Sequence, residues 1–384
     1  MHGTIESGFR VEIRRLDELA AFAPELRLLT ARAIAPNVFY EPAFMAAAAP
    51  VFGRDVLAGL VWRRAMPREL IGLFPVSIVR RRYGLKLPIL IGWAHPYGPL
   101  GTPLIDRNCS AAAVTAWLDH VAADPALPKF LLMPYLPADG EIAQAFDAAL
   151  SHRDGRSRHF ALHKRAMLAP EGDRAGYLDQ AMGTKKRKEL RRQRKRLADT
   201  GNLTSTTTSD PVDLTAALAD FLSLEASGWK GRAGTAAQGH DAISRFVVDA
   251  VTALAAEGKA SVAWLALDGR AIATIVTLRS GSAAWCWKIA YDEAFSRASP
   301  GVQLLLDVTE AMLSDASIAR ADSCATPDHP MINHIWRERL ALSDRMICVA
   351  PRDATLFARV CRLESFRRSA IDAIKRLRKL LRRT

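Results

Sequence analysis

Ser299, Pro300 and Gly301 stand where an aromatic strand, Trp285 to Tyr291, gives way to an apolar helix beginning at Gly301. The first turn of a helix presents backbone N–H groups with no intrahelical partner, and a glycine there lets a ligand approach the backbone closely, so the segment is a candidate site for a pyrophosphate or similar anion. Ser and Pro beside a helix start are also ordinary capping chemistry, and the residues by themselves leave both readings open. A second group of chemistry-bearing side chains lies in the segment WKGRAG, where Trp229, Lys230 and Arg232 on a glycine-rich loop suit a lid over a sugar, acyl or phosphate group. Lys288 is singled out because it falls between two aromatic positions within a strand. Metal and hydrolase readings find little support. His159 and His163 are four apart but bring no third ligand, and there is no G-x-S-x-G, no P-loop and no G-x-G-x-x-G, so no metal site is expected.

The elements that must position these residues follow from periodicity. Strands are predicted at 258–267, 270–279 and 283–291, separated by turns at Asp268-Gly269 and Gly281. A helix over 301–314, a short strand near 319–323, a helix around 331–339 and a strand over 344–350 come next, and helices near 212–228 and 241–256 precede the meander. The first half repeats this plan without repeating the sequence: a helix at 41–49, strands at 55–63, 69–80 and 88–93, a helix at 110–122, a strand at 129–135, a helix at 141–151 and a strand at 158–168. The first half enters its helix through Ile105-Asp106-Arg107-Asn108, with an acid where a phosphate would have to sit, so only the second half is expected to bind the donor.

Leu224-Glu225, the run Trp229 to Gly234, Ala290-Tyr291-Asp292, Ser299-Pro300-Gly301 and Asp322, in this order of elements, resemble a GNAT acyltransferase domain. More closely, residues 175–350 look like the acetyltransferase-like domain of CelD-type polysaccharide-biosynthesis proteins, relatives of the FemAB peptidyltransferases. The usual GNAT acyl-CoA fingerprint, Gln/Arg-x-x-Gly-x-Gly/Ala, is matched only by Arg297 and Gly301, with Pro300 in place of the first glycine. The resemblance implies an α/β (α+β) fold of two tandem GNAT-like domains, each a mostly antiparallel mixed sheet flanked by helices. It implies acyl-CoA, such as acetyl-CoA, as co-substrate, with Arg297, Ser299, Gly301, Val302 and Gln303 holding the donor. Direct attack on a thioester needs positioning, an oxyanion donor and a proton acceptor but no covalent nucleophile, and Tyr291, Asp292, Asp322 and His329 are the candidates for those tasks. Trp229, Lys230, Arg232 and Lys288 are the candidates for holding the acceptor.

The net charge of +13 is concentrated in two segments. Lys185 to Arg196 holds nine basic residues against one acid, Arg359 to Thr384 holds ten against two, and the remainder of the chain is left at about −3. The first segment reads as a helix from Gly183 to Gly201 with Thr184 as cap and a thin apolar stripe of Leu178, Met182, Leu190 and Leu197. FemAB-type transferases carry a basic helix at a similar place, which makes tRNA the alternative partner. The second segment is a basic amphipathic helix: Leu363, Phe366, Ala370, Ile374, Leu377 and Leu381 form one stripe, with Arg368, Lys375, Lys379, Arg382 and Arg383 opposite. That stripe suits either packing on the domain or an anionic membrane surface.

No apolar run reaches the ~18 residues a membrane span requires, the N-terminus has no signal-peptide core, and Cys109, Cys286, Cys324, Cys348 and Cys361 form no CxxC pair. A cytoplasmic protein with peripheral contact to the inner membrane face is therefore expected. Its predicted organisation is a domain at 1–170 without a donor site, an acyltransferase domain at 171–355 and the basic helix at 356–384. The expected activity is transfer of an acetyl or acyl group from acyl-CoA to an amine or hydroxyl of a sugar, lipid-linked or polysaccharide precursor. The alternatives are a FemAB-like aminoacyl-tRNA-dependent transferase and a non-catalytic, membrane-associated assembly factor.

Overall fold

The computed structural model describes residues 8–153, 155–350 and 354–381, the last four by their backbone alone; Arg382 and Arg383 lie outside the described residues, as do the side chains of Lys379 and Leu381. In chain order the elements are β1 (Phe9–Arg15), α1 (Ala23–Arg32), α2 (Pro42–Phe52), β2 (Val56–Arg63), β3 (Glu69–Val79), β4 (Ile89–Gly92), β5 (Leu104–Ile105), α3 (Ser110–Ala123), β6 (Phe130–Pro137), α4 (Gly140–Ser151) and β7 (Arg156–Leu168). Then follow α5 (Tyr177–Ala181), α6 (Thr184–Ala198), β8 (Leu203–Thr208), α7 (Pro211–Ser227), α8 (Trp229–Arg232), α9 (Asp241–Ala256), β9 (Ala260–Leu267), β10 (Arg270–Ser280), β11 (Ala283–Tyr291), α10 (Pro300–Ser314), β12 (Arg320–Asp322), β13 (Glu338–Cys348) and α11 (Ala354–Leu381). The described residues thus form a mixed α/β structure with antiparallel meanders and, among its strand pairs, the parallel β4–β6 and β11–β12.

Two compact units result, and neither is a contiguous stretch. One comprises Met1–Ala35, Asp55–His163 and Ala341–Thr384; the other comprises Pro36–Arg54 and Lys164–Leu340. In the first unit the strand order is β1-β2-β3-β4-β6-β13, with β5 on β3. In the second it is β7-β12-β11-β10-β9-β8. The last strand of each half therefore completes the sheet of the other unit: β13 pairs with β6 from Phe130 to Pro137, and the end of β7 pairs with β12 at Met167 and Leu168. Helix α2, placed by its sequence position in the first half, belongs to the second unit, where Phe44 packs edge-on against Phe246 and Trp287. Apolar burial at these ring contacts outweighs proximity along the chain.

Most predicted elements lie within a few residues of their expected bounds, and the differences have local causes. The segment 229–232 is a short helix instead of a loop. Residues 331–339 are not a helix: a 3-10 turn spans Ile332–His334, and β13 begins at Glu338. Ile332, Ile335 and Trp336 carry a helical spacing, but their burial is achieved by a turn that sends Trp336 into the core, where its Nε1–H donates to Thr309 Oγ1 at 3.0 Å. Thr184 is the first helical residue of α6 and Gly183 occupies the cap. Strand β8 (LTSTTT) escapes sequence reading because it is a polar strand at the end of its sheet with no apolar alternation.

Candidate acyl-transfer site

Strands β11 and β12 are parallel neighbours only over Ala283–Trp285 and Arg320–Asp322. Beyond that point β12 has ended while β11 runs on to Tyr291, so the two share no further ladder. At the same point β11 changes register against β10: Val276 faces Lys288 and Thr277 faces Cys286, leaving Trp287 as the extra residue of a β-bulge. Bulges bend a strand and re-aim its groups, and they recur beside active sites. A strand edge released from its neighbour offers backbone groups to an extended, amide-bearing ligand.

Over the last residues of β11 lies a narrow cleft of ≈ 30 Å³, lined by Glu225, Trp229, Lys230, Ile289, Tyr291 and Glu293 among others. Helix α7 supplies Glu225 from a core position: Leu214, Leu218, Phe221, Leu222 and Glu225 recur at helical spacing and all are buried. Glu225 Oε1 accepts from Lys230 Nζ at 2.6 Å and its Oε2 accepts from the Ala237 N–H at 2.9 Å, so this buried carboxylate is fully engaged. Glu293 grips the other end of α8, accepting from the Trp229 N–H at 2.8 Å and from Arg232 at 2.7 Å, and the Arg232 bond holds its carboxyl below the usual range. Trp229 is left 57% exposed at the cleft mouth. Lys288, half-buried with its Nζ 5.7 Å from the Trp287 ring centre, is pushed down to about 8 by burial and by the neighbouring Lys230 charge.

The structure brings Tyr291, Trp229 and Lys230 to the cleft, with Arg232 beside it on Glu293 and Lys288 near enough to feel the Lys230 charge without lining it, and engages other candidates elsewhere. Asp292 caps the 3-10 turn after β11 through the Ala294 N–H and pairs with Arg270 at 2.6 Å. Asp322 forms a buried ion pair with Arg165 and accepts from the Cys324 N–H at 3.0 Å. His329 sits in the turn after β12, where its Nδ1 accepts from the Met331 N–H at 3.3 Å and burial lowers its pKa. Gln303 is buried, its amide donating to the Leu190 carbonyl of α6 at 2.8 Å. Ser299 is left-handed at φ 52°, and its carbonyl accepts from the N–H groups of both Val302 and Gln303, at 2.9 and 3.0 Å. Pro300 has no N–H, so the first turn of α10 offers an anion fewer donors than its sequence promises. Gly301 is buried, and a Cβ on it would stand 3.2 Å from the Tyr291 ring, so it serves close packing there. Arg297 is exposed beside this turn. Among the described residues no group of three or more His, Cys, Asp or Glu side chains is arranged to hold a metal ion.

Glu225 is the cleft-lining side chain that sequence reading passed over as a site residue. Its signal was present, since an acid at a core position of an apolar helix stripe must be paired.

Residues 184–328 match the family model described as an acetyltransferase (GNAT) domain. No curated protein matches the chain. Among solved structures, a conserved protein of unknown function from Bacteroides thetaiotaomicron superposes with a TM-score of 0.55 at 11% identity, covering 88% of this chain and 99% of that one. FemX superposes at 0.54 with 10% identity, over 86% and 96% of the two chains. The C-terminal domain of an Agrobacterium fabrum protein named for lysylphosphatidylglycerol synthesis superposes at 0.54 with 12% identity, over 90% and 96%. At such identities the likeness is one of fold. Residues 184–328 thus match a GNAT-type acetyltransferase domain, in a chain whose fold is similar to that of FemX.

Proposed function

We propose that the second unit transfers an acyl group from acyl-CoA to an amine or hydroxyl of a sugar, lipid-linked or polysaccharide precursor. The observation that carries this reading is the early end of the β11–β12 ladder beside the cleft of Glu225, Trp229, Lys230 and Tyr291. In the reaction the acceptor's nitrogen or oxygen attacks the thioester carbonyl carbon, a C–N or C–O bond forms, the C–S bond breaks, and the acceptor's proton leaves through a base. Backbone N–H groups along the released edge of β11 are the oxyanion donors in this scheme. Lys288, titrating near 8, is the proton acceptor, with the Glu225–Lys230 pair fixing the wall of the cleft. The test is thermal unfolding with acetyl-CoA, longer acyl-CoAs, free CoA and charged tRNA. A donor at about 100 times its Kd stabilises the native state by about 2.7 kcal/mol. Absence of any shift with every acyl-CoA rejects the CoA reading.

A specific observation favours an aminoacyl-tRNA donor as the second reading. Helix α6 packs beside the start of α10 through the Gln303–Leu190 bond and the Arg194–Asp307 pair at 2.8 Å, while Lys185, Lys186, Lys188, Arg191, Arg192, Lys195 and Arg196 remain exposed. Replacing Lys185, Lys186, Arg191, Arg192, Lys195 and Arg196 with Gln separates the two donors. If the donor is tRNA, its affinity falls and the salt slope flattens by roughly 0.9 for each phosphate the helix no longer neutralises. If the donor is acyl-CoA, donor affinity changes little.

A further inference from the structure

Helix α11 is anchored in the first unit by one face. Phe357, Val360 and Cys361 are buried in a cluster with Ile89, Phe130, Leu132, Phe160, Met346 and Cys348. One turn on, the fully buried Glu364 accepts from Arg82 at 2.9 Å, from the Tyr83 hydroxyl at 2.8 Å and from Arg368 at 2.7 Å, and Arg368 also pairs with Asp344. The apolar stripe lies on another face: Phe366, Ala370, Ile374 and Leu377 succeed one another at i, i+4, i+8 and i+11, about 140° around the helix from the anchoring residues. Phe366 is 75% exposed, Ile374 52% and Leu377 58%. This stripe therefore does not pack on the unit that holds the helix. Its setting is cationic: Arg359 lies in line with it and Arg362 and Arg367 flank it, Arg367 with one nitrogen 3.8 Å from Glu364 and its side chain 41% exposed, while Glu364 and Asp372, the acids of the described part of α11, lie on the far side.

We infer that this outward face of α11 docks on an anionic lipid bilayer, with Phe366, Ile374 and Leu377 entering the interface and Arg359, Arg362 and Arg367 meeting lipid phosphates. Both halves of the face select this occupant. A second copy would set the same arginines against each other, and a nucleic acid has no use for the apolar stripe. No helix among the described residues is long and apolar enough to cross a membrane, so the contact is one of a helix lying at the surface.

The experiment is sedimentation of the full chain with vesicles of phosphatidylcholine alone and of phosphatidylcholine with phosphatidylglycerol, at low and high salt, alongside size-exclusion chromatography without lipid. The wild type should pellet with the phosphatidylglycerol vesicles and lose binding as salt rises. The triple variant Phe366→Ser, Ile374→Ser, Leu377→Ser should bind at least about tenfold more weakly while keeping the wild-type melting temperature, since these side chains are exposed. The triple variant Arg359→Gln, Arg362→Gln, Arg367→Gln should lose the preference for phosphatidylglycerol. Equal pelleting of the wild type and the serine variant, no pelleting of the wild type, or equal binding to both vesicles overturns the inference. A wild-type dimer that the serine changes convert to a monomer also overturns it and assigns the face to a second copy.

Discussion

Lys288, half-buried, and Asp322, buried, are charged groups of one unit with opposite consequences. Burial lowers the Lys288 pKa to about 8 from an ordinary value near 10.5, so between these values the unfolded chain holds a proton that the folded chain has released. Stability contributed at this position therefore rises with pH across that window, on the order of 3 kcal/mol in total. Lys288→Met removes the effect: its stability advantage over the wild type should be largest near pH 7 and shrink as pH approaches 10, measured by urea unfolding at both ends. If Lys288 also accepts the acceptor's proton, the wild-type kcat rises as this amine loses its proton near pH 8, and the same variant loses that rise. Asp322 behaves differently, because Arg165 beside it is equally buried. Asp322→Ala should destabilise the protein by about 3–5 kcal/mol by taking its carboxylate away from the buried Arg165 guanidinium, a loss visible in urea unfolding without any ligand. Asp322 was legible as a position of interest, but its partner 157 residues away was not.

At the scale of elements, α8 is a four-residue helix held by hydrogen bonds and salt bridges at both ends and too short to be stable alone. Its Gly231 permits this geometry: a Cβ there would come within 1.7 Å of the Ala226 carbonyl oxygen. Gly231→Ala should therefore cost about 1–3 kcal/mol and displace Trp229 and Lys230 from the cleft, raising KM for the acceptor, whereas Gly234→Ala, with open space around it but a φ of +68°, should act on the backbone alone. Basic helix α6 was legible from Leu190 and Leu197, which are the residues it buries. The start of α10 was legible as a helix start. Which N–H groups remain available depends on the Ser299 carbonyl, whose direction follows from a left-handed backbone that a residue pattern does not reveal.

At the scale of the molecule, the unit that contains residues 184–328 depends on a segment far upstream of the matched region. Glu41, fully buried, accepts from Lys259 at 2.9 Å and from the Ser280 hydroxyl at 2.6 Å, and Phe44 fills the space between Phe246 and Trp287. Phe44→Ala should cost about 3–5 kcal/mol and lower the unfolding midpoint of the unit that contains residues 184–328. A fragment restricted to 164–340 should fail to give a cooperative unfolding transition, and circular dichroism melting of that fragment checks it.

Periodicity along the chain determined the type and order of most elements, because a strand or helix must present its apolar residues to a core at a spacing of 2 or 3.6 wherever that core lies. It also determined where the charge is concentrated, since composition needs no contacts. Tertiary structure alone decided which half each strand completes, why α2 serves the second unit, which face of α11 is anchored, and which acids are partnered. These are choices among surfaces of similar apolar character, settled by long-range packing and by the need to pair each buried charge, and neither is encoded within the reach of a local window.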